Sequence, residues 1–437
     1  MKTTNLLIAA LLLAGLSGVV WWVKKHPQSA DSSTSPSTTT KLLDVPDAQL
    51  VSLDIQKKDM PPVVLSRAGG KWTITAPENY RADQDAVSSL ISSLSPVTAD
   101  NVVDAKPANL NEYGLTNPVL TVTVHEKNGK TDHLYFGDDV PIGSLAYARV
   151  NTDPKVYAVA QSVRTSFSKD VNDLRDKRLL TFDSTQASRI ELSSAKGPIE
   201  FGKVNQTDWQ IIKPGTYRAD SFQIEELLRK LSDAKMDLSN TTDAAKAYAT
   251  AKPAGIAKVT DASGVETLDI RQNKDDYYAK SSQVPGEFKI SSDLGKEIEK
   301  PLDDFRNKKL FDFGFSDTNR IDLQQGATTR TFVRSGTDWK SNNQLMDAGS
   351  VQSLIDKLRD VAATKFAETG FTTPVATITV VSNDGKRTEK VEFAKTADGY
   401  LARREGQTAL YVLDPKSVND ILEAGTTIKA TAPGPKK

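Results

Sequence analysis

The chain of 437 residues contains no cysteine. Disulfides, thiolate metal sites, iron–sulfur clusters and a cysteine nucleophile are excluded. The compartment is not fixed by this, because a protein in an oxidising space can carry disulfides or simply avoid thiols. Net charge is missing as well: 56 Lys and Arg stand against 56 Asp and Glu. No overall field gathers phosphate backbones, so nucleic acid is not expected as a partner. Histidine is scarce, with three residues. There is no GxSxG, Walker loop, HExxH or EF-hand run, and the glycines are scattered at turns rather than grouped to cradle phosphate. No catalytic, cofactor-binding or metal-binding residue is singled out. The chain reads as a non-enzyme without a cofactor.

One long apolar run is present. LLIAALLLAGLSGVVWWV, residues 6–23, carries no charge. As a helix it would measure about 27 Å, close to the thickness of a bilayer's hydrocarbon layer. Trp21 and Trp22 end it and Lys24 and Lys25 follow, the order expected at a membrane–water interface. A cleaved signal peptide is the alternative, with small residues at Gly15 and Ser17. The run continues through Val23, which suits an anchor better. No cysteine follows LLLAG, so a lipoprotein anchor is excluded. Residues 1–25 are therefore read as a transmembrane signal-anchor and residues 26–40, HPQSADSSTSPSTTT, as a flexible polar linker. The expected location is the inner membrane, single-pass, with the bulk of the chain in the periplasm.

The rest repeats. NDLRDKRLLTF at 172–182 returns as DDFRNKKLFDF at 303–313, and KLLDV at 41–45 opens a further copy. Each opening leads to one tryptophan: Trp72, Trp209 and Trp339. YRAD occurs at 80–83 and 217–220, and Asp347 keeps its last position. After these aspartates apolar residues recur at i, i+3, i+4 and i+7: Val87, Leu90, Ile91, Leu94; Ile224, Leu227, Leu228, Leu231; Val351, Leu354, Ile355, Leu358. That spacing predicts one face of a helix, with Asp83, Asp220 and Asp347 as N-caps. Pro118, Pro253 and Pro374 are each followed eleven residues on by Gly129, Gly264 and Gly385, within alternating segments that predict hairpins. The expected fold is α+β: three tandem repeats at 41–178, 179–309 and 310–428, each of hairpins and strands with two packing helices, and a disordered tail at 429–437.

The repeated phrase marks a joint. Leu174 and Phe305 are expected to close one core, and Leu179, Leu180, Phe182 and Leu310, Phe311, Phe313 to enter the next. The charges between, among them Arg175, Asp176, Lys177 and Arg306, read as a solvated helix end, where cations suit the dipole, or as a basic contact for a partner or lipid headgroups. The tryptophans read as core, with a carbohydrate platform as the alternative. His125 and His133 flank the Asn128-Gly129 turn. A two-residue loop would set His125 opposite Asp132 and His133 opposite Val124, on opposite faces and badly placed to share a metal. Asp138-Asp139 and Asp275-Asp276 adjoin turns.

The amino-terminal anchor, EYGLTNP at 112–118, YFGDDVPIGSLAYARV at 135–150 and VNDLRDKRLL at 171–180 resemble the bacterial family termed domain of unknown function 4340. The third repeat lacks both the YFGD-like turn and the closing RDKRLL. The resemblance implies membrane-anchored extracytoplasmic proteins, often encoded beside ABC-transporter components of the gliding-associated type, and brings no catalytic residues. The expected function is a non-enzymatic accessory or scaffold protein partnering an ABC transporter or envelope complex. A glycan- or peptide-binding module and a carboxylate-based envelope hydrolase are the alternatives.

Overall fold

Alternating apolar and polar residues produce antiparallel strands along most of residues 39–431, which, Ser316 apart, are those described by a computed structural model. The anchor segment, the linker up to Thr38 and residues 432–437 lie outside the described residues. Among the described residues no helix is long and apolar enough to cross a membrane.

The chain divides into two compact units, the first ending at Asp176 and the second starting at Lys177. The first holds a two-stranded pair, 40–43 with 97–99, and one nine-stranded antiparallel sheet. Its strands run in the order 80–81, 71–76, 63–68, 50–57, 120–126, 131–139, 145–150, 156–160 and 101–104. The second unit holds two sheets of the same plan, centred on the pairs 189–194 with 252–261 and 318–325 with 374–382. In each plan a four-stranded meander leads into a capped helix, then a second meander returns to pair with the first strand. The α+β class follows from these sheets with their packed helices.

Local chemistry sets the helices. Asp83 accepts from the N–H groups of Asp85 and Ala86, Asp220 from those of Phe222 and Gln223, and Asp347 from that of Ser350. These bonds satisfy donors that the first turn would otherwise leave unpaired. The predicted apolar faces are buried in all three helices. Three hydrophobic clusters result. The first ends with Leu174; the second runs from Leu179, Leu180 and Phe182 to Phe305; the third starts at Leu310, Phe311 and Phe313.

The joint phrase is extended chain rather than a helix end. The preceding one-turn helices stop at Leu174 and Phe305, and Arg175 and Arg306 already have strand-like backbone angles. Asp83 N–H donates to Leu174 O at 2.8 Å and Asp176 N–H to Arg81 O at 2.9 Å. Asp220 N–H donates to Phe305 O at 2.8 Å and Asn307 N–H to Arg218 O at 2.9 Å. Each YRAD segment thus pairs with the exit of its own repeat. The following residues pair with the segment after the next cap helix: Leu179 N–H with Ala234 O and Met236 N–H with Lys177 O, both at 2.8 Å, and Ala363 N–H with Lys308 O at 2.8 Å.

Arg175 and Arg306 stack on aromatic rings instead of ending a helix in solvent, while Arg178 is exposed. Arg175 lies over the Tyr80 ring at 4.2 Å. Arg306 is buried between the rings of Tyr217 at 4.3 Å and Phe366 at 3.5 Å, with Asp303 at 3.1 Å. Cation–π contact replaces the hydration that these groups would have at a helix end. In the third repeat Asp347 N–H donates to Lys429 O at 2.9 Å and Met346 bridges Ala430, so residues 429–431 keep the exit geometry. There Gln344 and Ala430 occupy the tyrosine and arginine positions. The backbone bridge belongs to every repeat; the Tyr–Arg contact accompanies only the two joints.

A buried acid recurs opposite the same valine of each central strand: Asp132 opposite Val124, Glu266 opposite Val259 and Glu389 opposite Val380. Glu266 accepts from the backbone and hydroxyl of Thr181, both at 2.7 Å, and from Phe182 N–H at 3.2 Å. Glu389 accepts from Asp312 N–H at 3.0 Å and from Arg404 at 2.9 Å. These bonds fasten each incoming segment to the sheet it enters. In the first repeat Asp132 instead holds Lys130 at 2.7 Å and Asn151 at 2.9 Å.

Two outcomes follow. Leu179 and Leu180 are fully buried, so replacing both by Ala should cost about 4–8 kcal/mol. Hydrogen exchange should then lose protection across the second repeat while the first keeps it; unchanged protection everywhere would show the joint to be misplaced. Tyr157 and Tyr277 are pushed up to about 12 by burial and by their bonds to Asp153 and Glu299. The unfolded phenol titrates near 10, so this stabilisation is complete below about pH 10 and is lost as pH rises toward 12. Ultraviolet titration of tyrosinate should show two late phenols that the Tyr157→Phe, Tyr277→Phe double variant lacks.

Candidate functional site

The three copies of the fold act as controls for one another. In the second and third repeats the hairpins at one end of the sheet turn in two residues, 195–196 and 326–327 for the first meander, 274–275 and 397–398 for the second. Only the first repeat lengthens both, to 58–62 and 140–144. The extra residues are not needed to build the sheet, since two copies form without them.

Both loops sit at the same end. Lys57 pairs with Leu120, which pairs in turn with Phe136, and Lys58 N–H donates to Val119 O at 3.1 Å. The strands leading into the two loops are two positions apart in the sheet, about 10 Å. Each loop presents apolar side chains to solvent: Met60 is 47% exposed beside exposed Pro61 and Pro62, and Ile142 is 86% exposed between Pro141 and Gly143. At the same end lies a cavity of about 480 Å³ lined by Val119, Leu120, Asp138, Asp139, Arg164, Thr165 and Ser168. Arg164 donates to Gly137 O at 3.1 Å and to Asp139 at 2.6 Å.

The motifs EYGLTNP and YFGDD lock against each other here. Gly137 passes under Tyr113, where a Cβ would stand 2.0 Å from the Tyr113 carbonyl oxygen. Gly114, at φ +66°, lies against the Asp138 carboxylate, 2.6 Å from a would-be Cβ. The Tyr113 ring meets Tyr147 edge-on at 5.0 Å and its hydroxyl donates to Asp104 at 3.0 Å. The motifs therefore anchor the base of the 140–144 loop.

The other singled-out residues fall elsewhere. Trp72, Trp209 and Trp339 are core, with Arg67 and Lys203 over the first two rings. None forms a surface platform, which removes the main support for carbohydrate stacking. The histidine register differs from expectation. Glu126 N–H bonds Lys130 O across a three-residue loop, so His125 faces Thr131 and His133 faces Thr123. One residue of slip exchanges faces, and the two histidines share one face of the sheet. They bond threonine hydroxyls at 3.2 and 3.1 Å. Among the described residues no group of three or more His, Asp or Glu is placed to hold a metal. Asp276 pairs with Lys289 at 2.9 Å beside its turn.

A second cavity, about 540 Å³, lies between helices Ala348–Asp360 and Pro415–Thr427. Asp347 and Asp420 line it. The Ser350 hydroxyl holds Asp347 below the usual carboxylate range, and the Lys416 ammonium does the same for Asp420.

Gly137→Ala should force the strap at 112–118 off the sheet and cost about 1–3 kcal/mol, the usual range for overpacking. A lowered melting temperature with faster hydrogen exchange at residues 110–118 would bear this out; a stable variant with an unchanged strap would refute it.

No curated protein and no solved structure matches the chain. A family described as Domain of unknown function (DUF4340) matches twice in succession, over residues 72–208 and 209–376. Each match opens on a repeat tryptophan, Trp72 and then Trp209, and runs through the joint that follows. Because these matches cover more than half of its length and contain both joints, the chain belongs to the domain-of-unknown-function family DUF4340.

Proposed function

We propose that the chain is a non-enzymatic accessory protein, tethered to the inner membrane by residues 6–23, whose three repeats serve outside the cytoplasm as a scaffold for an ABC transporter or another envelope complex. The observation that carries this reading is where the shared side chains are used. The tryptophans fill cores, the aspartates cap helices and close exits, and the recurring buried acids tie down strands. What the repeats share is consumed in folding, and what distinguishes them lies in loops and exposed faces. A scaffold needs that division: common cores and dissimilar surfaces. The apolar run followed by a polar linker supplies the tether.

Crosslinking in intact membranes, followed by purification of the full chain, tests the reading. Recovery of transporter membrane subunits in near-stoichiometric amount is expected. A chain recovered monomeric and alone after efficient crosslinking would sink it.

A further inference from the structure

We propose that the lengthened-loop end of the first repeat docks on the surface of the lipid bilayer, with Ile142 and Met60 inserted at the level of the headgroups. The inference rests on the tethered reading above for the presence of a membrane nearby. Its structural basis is separate. Ile142 is more exposed than any other large apolar side chain among the described residues, and it stands at a loop that two sister repeats shorten to two residues. Pro141 on one side and the Gly114–Gly137 lock below hold that loop out from the sheet. Met60, backed by Pro61 and Pro62, projects from the same sheet end. Paired apolar tips on lengthened loops, where the sister repeats have two-residue turns, have the character of an interaction surface rather than of scattered exposure.

Charge selects the kind of surface. Lys57 pairs with Asp170, and Arg164 with Asp139. Lys58 and Lys169 are matched in number by Asp59 and Asp138, and exposed Glu78 and Asp100 at the same sheet end add acid, so the rim has no basic surplus. Such an end gains nothing from an anionic field and suits zwitterionic headgroups, with apolar insertion as the driving term. Distance is also in favour. Sixteen residues, 24–39, separate the apolar run from the first strand, and a coil of that length would span about 20–24 Å root-mean-square. The first repeat is thereby kept within reach of the bilayer that holds the tether.

The absence of cysteine makes the test clean. Ile142→Cys, labelled with an environment-sensitive nitrobenzoxadiazole dye, is reconstituted as the full chain in phosphatidylcholine–phosphatidylethanolamine vesicles. Val204→Cys, on an exposed position of the second repeat, is the control. The dye at 142 should shift to the blue, brighten several-fold and be quenched by spin-labelled lipid. The control should not respond. The response should be the same with added phosphatidylglycerol and at high salt. Adding Ile142→Asp to a Met60→Cys reporter should remove most of the signal at 60. An aqueous spectrum at 142 in a chain that resists carbonate extraction overturns the docking and leaves the tether standing. An aqueous spectrum in a chain that carbonate removes overturns both. A response that appears only when purified membrane complex is added assigns the tips to a protein partner and equally overturns the inference.

Discussion

The backbone N–H of one aspartate per repeat donates to the carbonyl that ends that repeat: Asp83 to Leu174, Asp220 to Phe305 and Asp347 to Lys429. The side chain of the same residue caps the helix that covers the sheet. One residue therefore fixes three things together: where the helix starts, where the two-to-three-residue strand before it lies, and where the chain leaves. A capping bond alone contributes on the order of 1 kcal/mol. Its larger effect is geometric, because helix, strand and exit cannot move independently while both bonds hold. The buried acids provide the matching constraint on entry in the second and third repeats, where Glu266 and Glu389 receive the backbone of the incoming segment.

Much of this was legible in the chain itself, for reasons that differ by element. The cap aspartates, the helix faces and the two-sided joint were readable because they depend on local spacing, and local spacing survives in sequence. The buried acids were not. Asp132, Glu266 and Glu389 stand three, two and four residues after the turn glycines, since the loops differ in length. Only the pairing with Val124, Val259 and Val380 reveals them as equivalent. The histidine faces were misassigned through the same weakness, a loop one residue longer than its Asn-Gly suggested. The joint arginines looked solvated because charge near a helix end usually is. Nothing local discloses that Tyr217 and Phe366, from two different repeats, close over Arg306. At the candidate site, the stretch YFGDDVPIGS was visible, but the exposure of Ile142 and the lock between Gly114 and Gly137 arise from contacts across the sheet.

The interior and the exterior of these repeats obey different rules. Inside, a substitution must satisfy a cap, a register or a packed ring, and the three copies remain alike. Outside, the copies diverge in ways that are chemically coherent. Tyr135 lies beside Arg149 at 4.9 Å on the first sheet, where the third sheet pairs Glu392 with Arg403 at 2.6 Å. The cross-strand neighbour relation is kept, while the contact changes from aromatic to ionic. The lengthened 140–144 loop brings a register shift between Ala146 and Ala148, and the pairs beyond it, Arg149 with Tyr135 and Val150 with Leu134, run on regularly. Surfaces of different character can thus be carried on one framework.

The bridges at entry and exit also bear on how such a chain could be edited. Each repeat begins with a segment that pairs to the stretch after its own cap helix, and ends with a segment that pairs to its own cap strand. With the cuts placed after Asp176 and after Asn307, a little before the bounds expected from sequence, neither pairing borrows a backbone group from the neighbouring repeat. A length of coding sequence from one joint to the next therefore specifies a fold together with both of its sockets. Copying that length adds a module without orphaning a main-chain donor, and the Tyr–Arg contact is a detail that can be added at the seam afterwards.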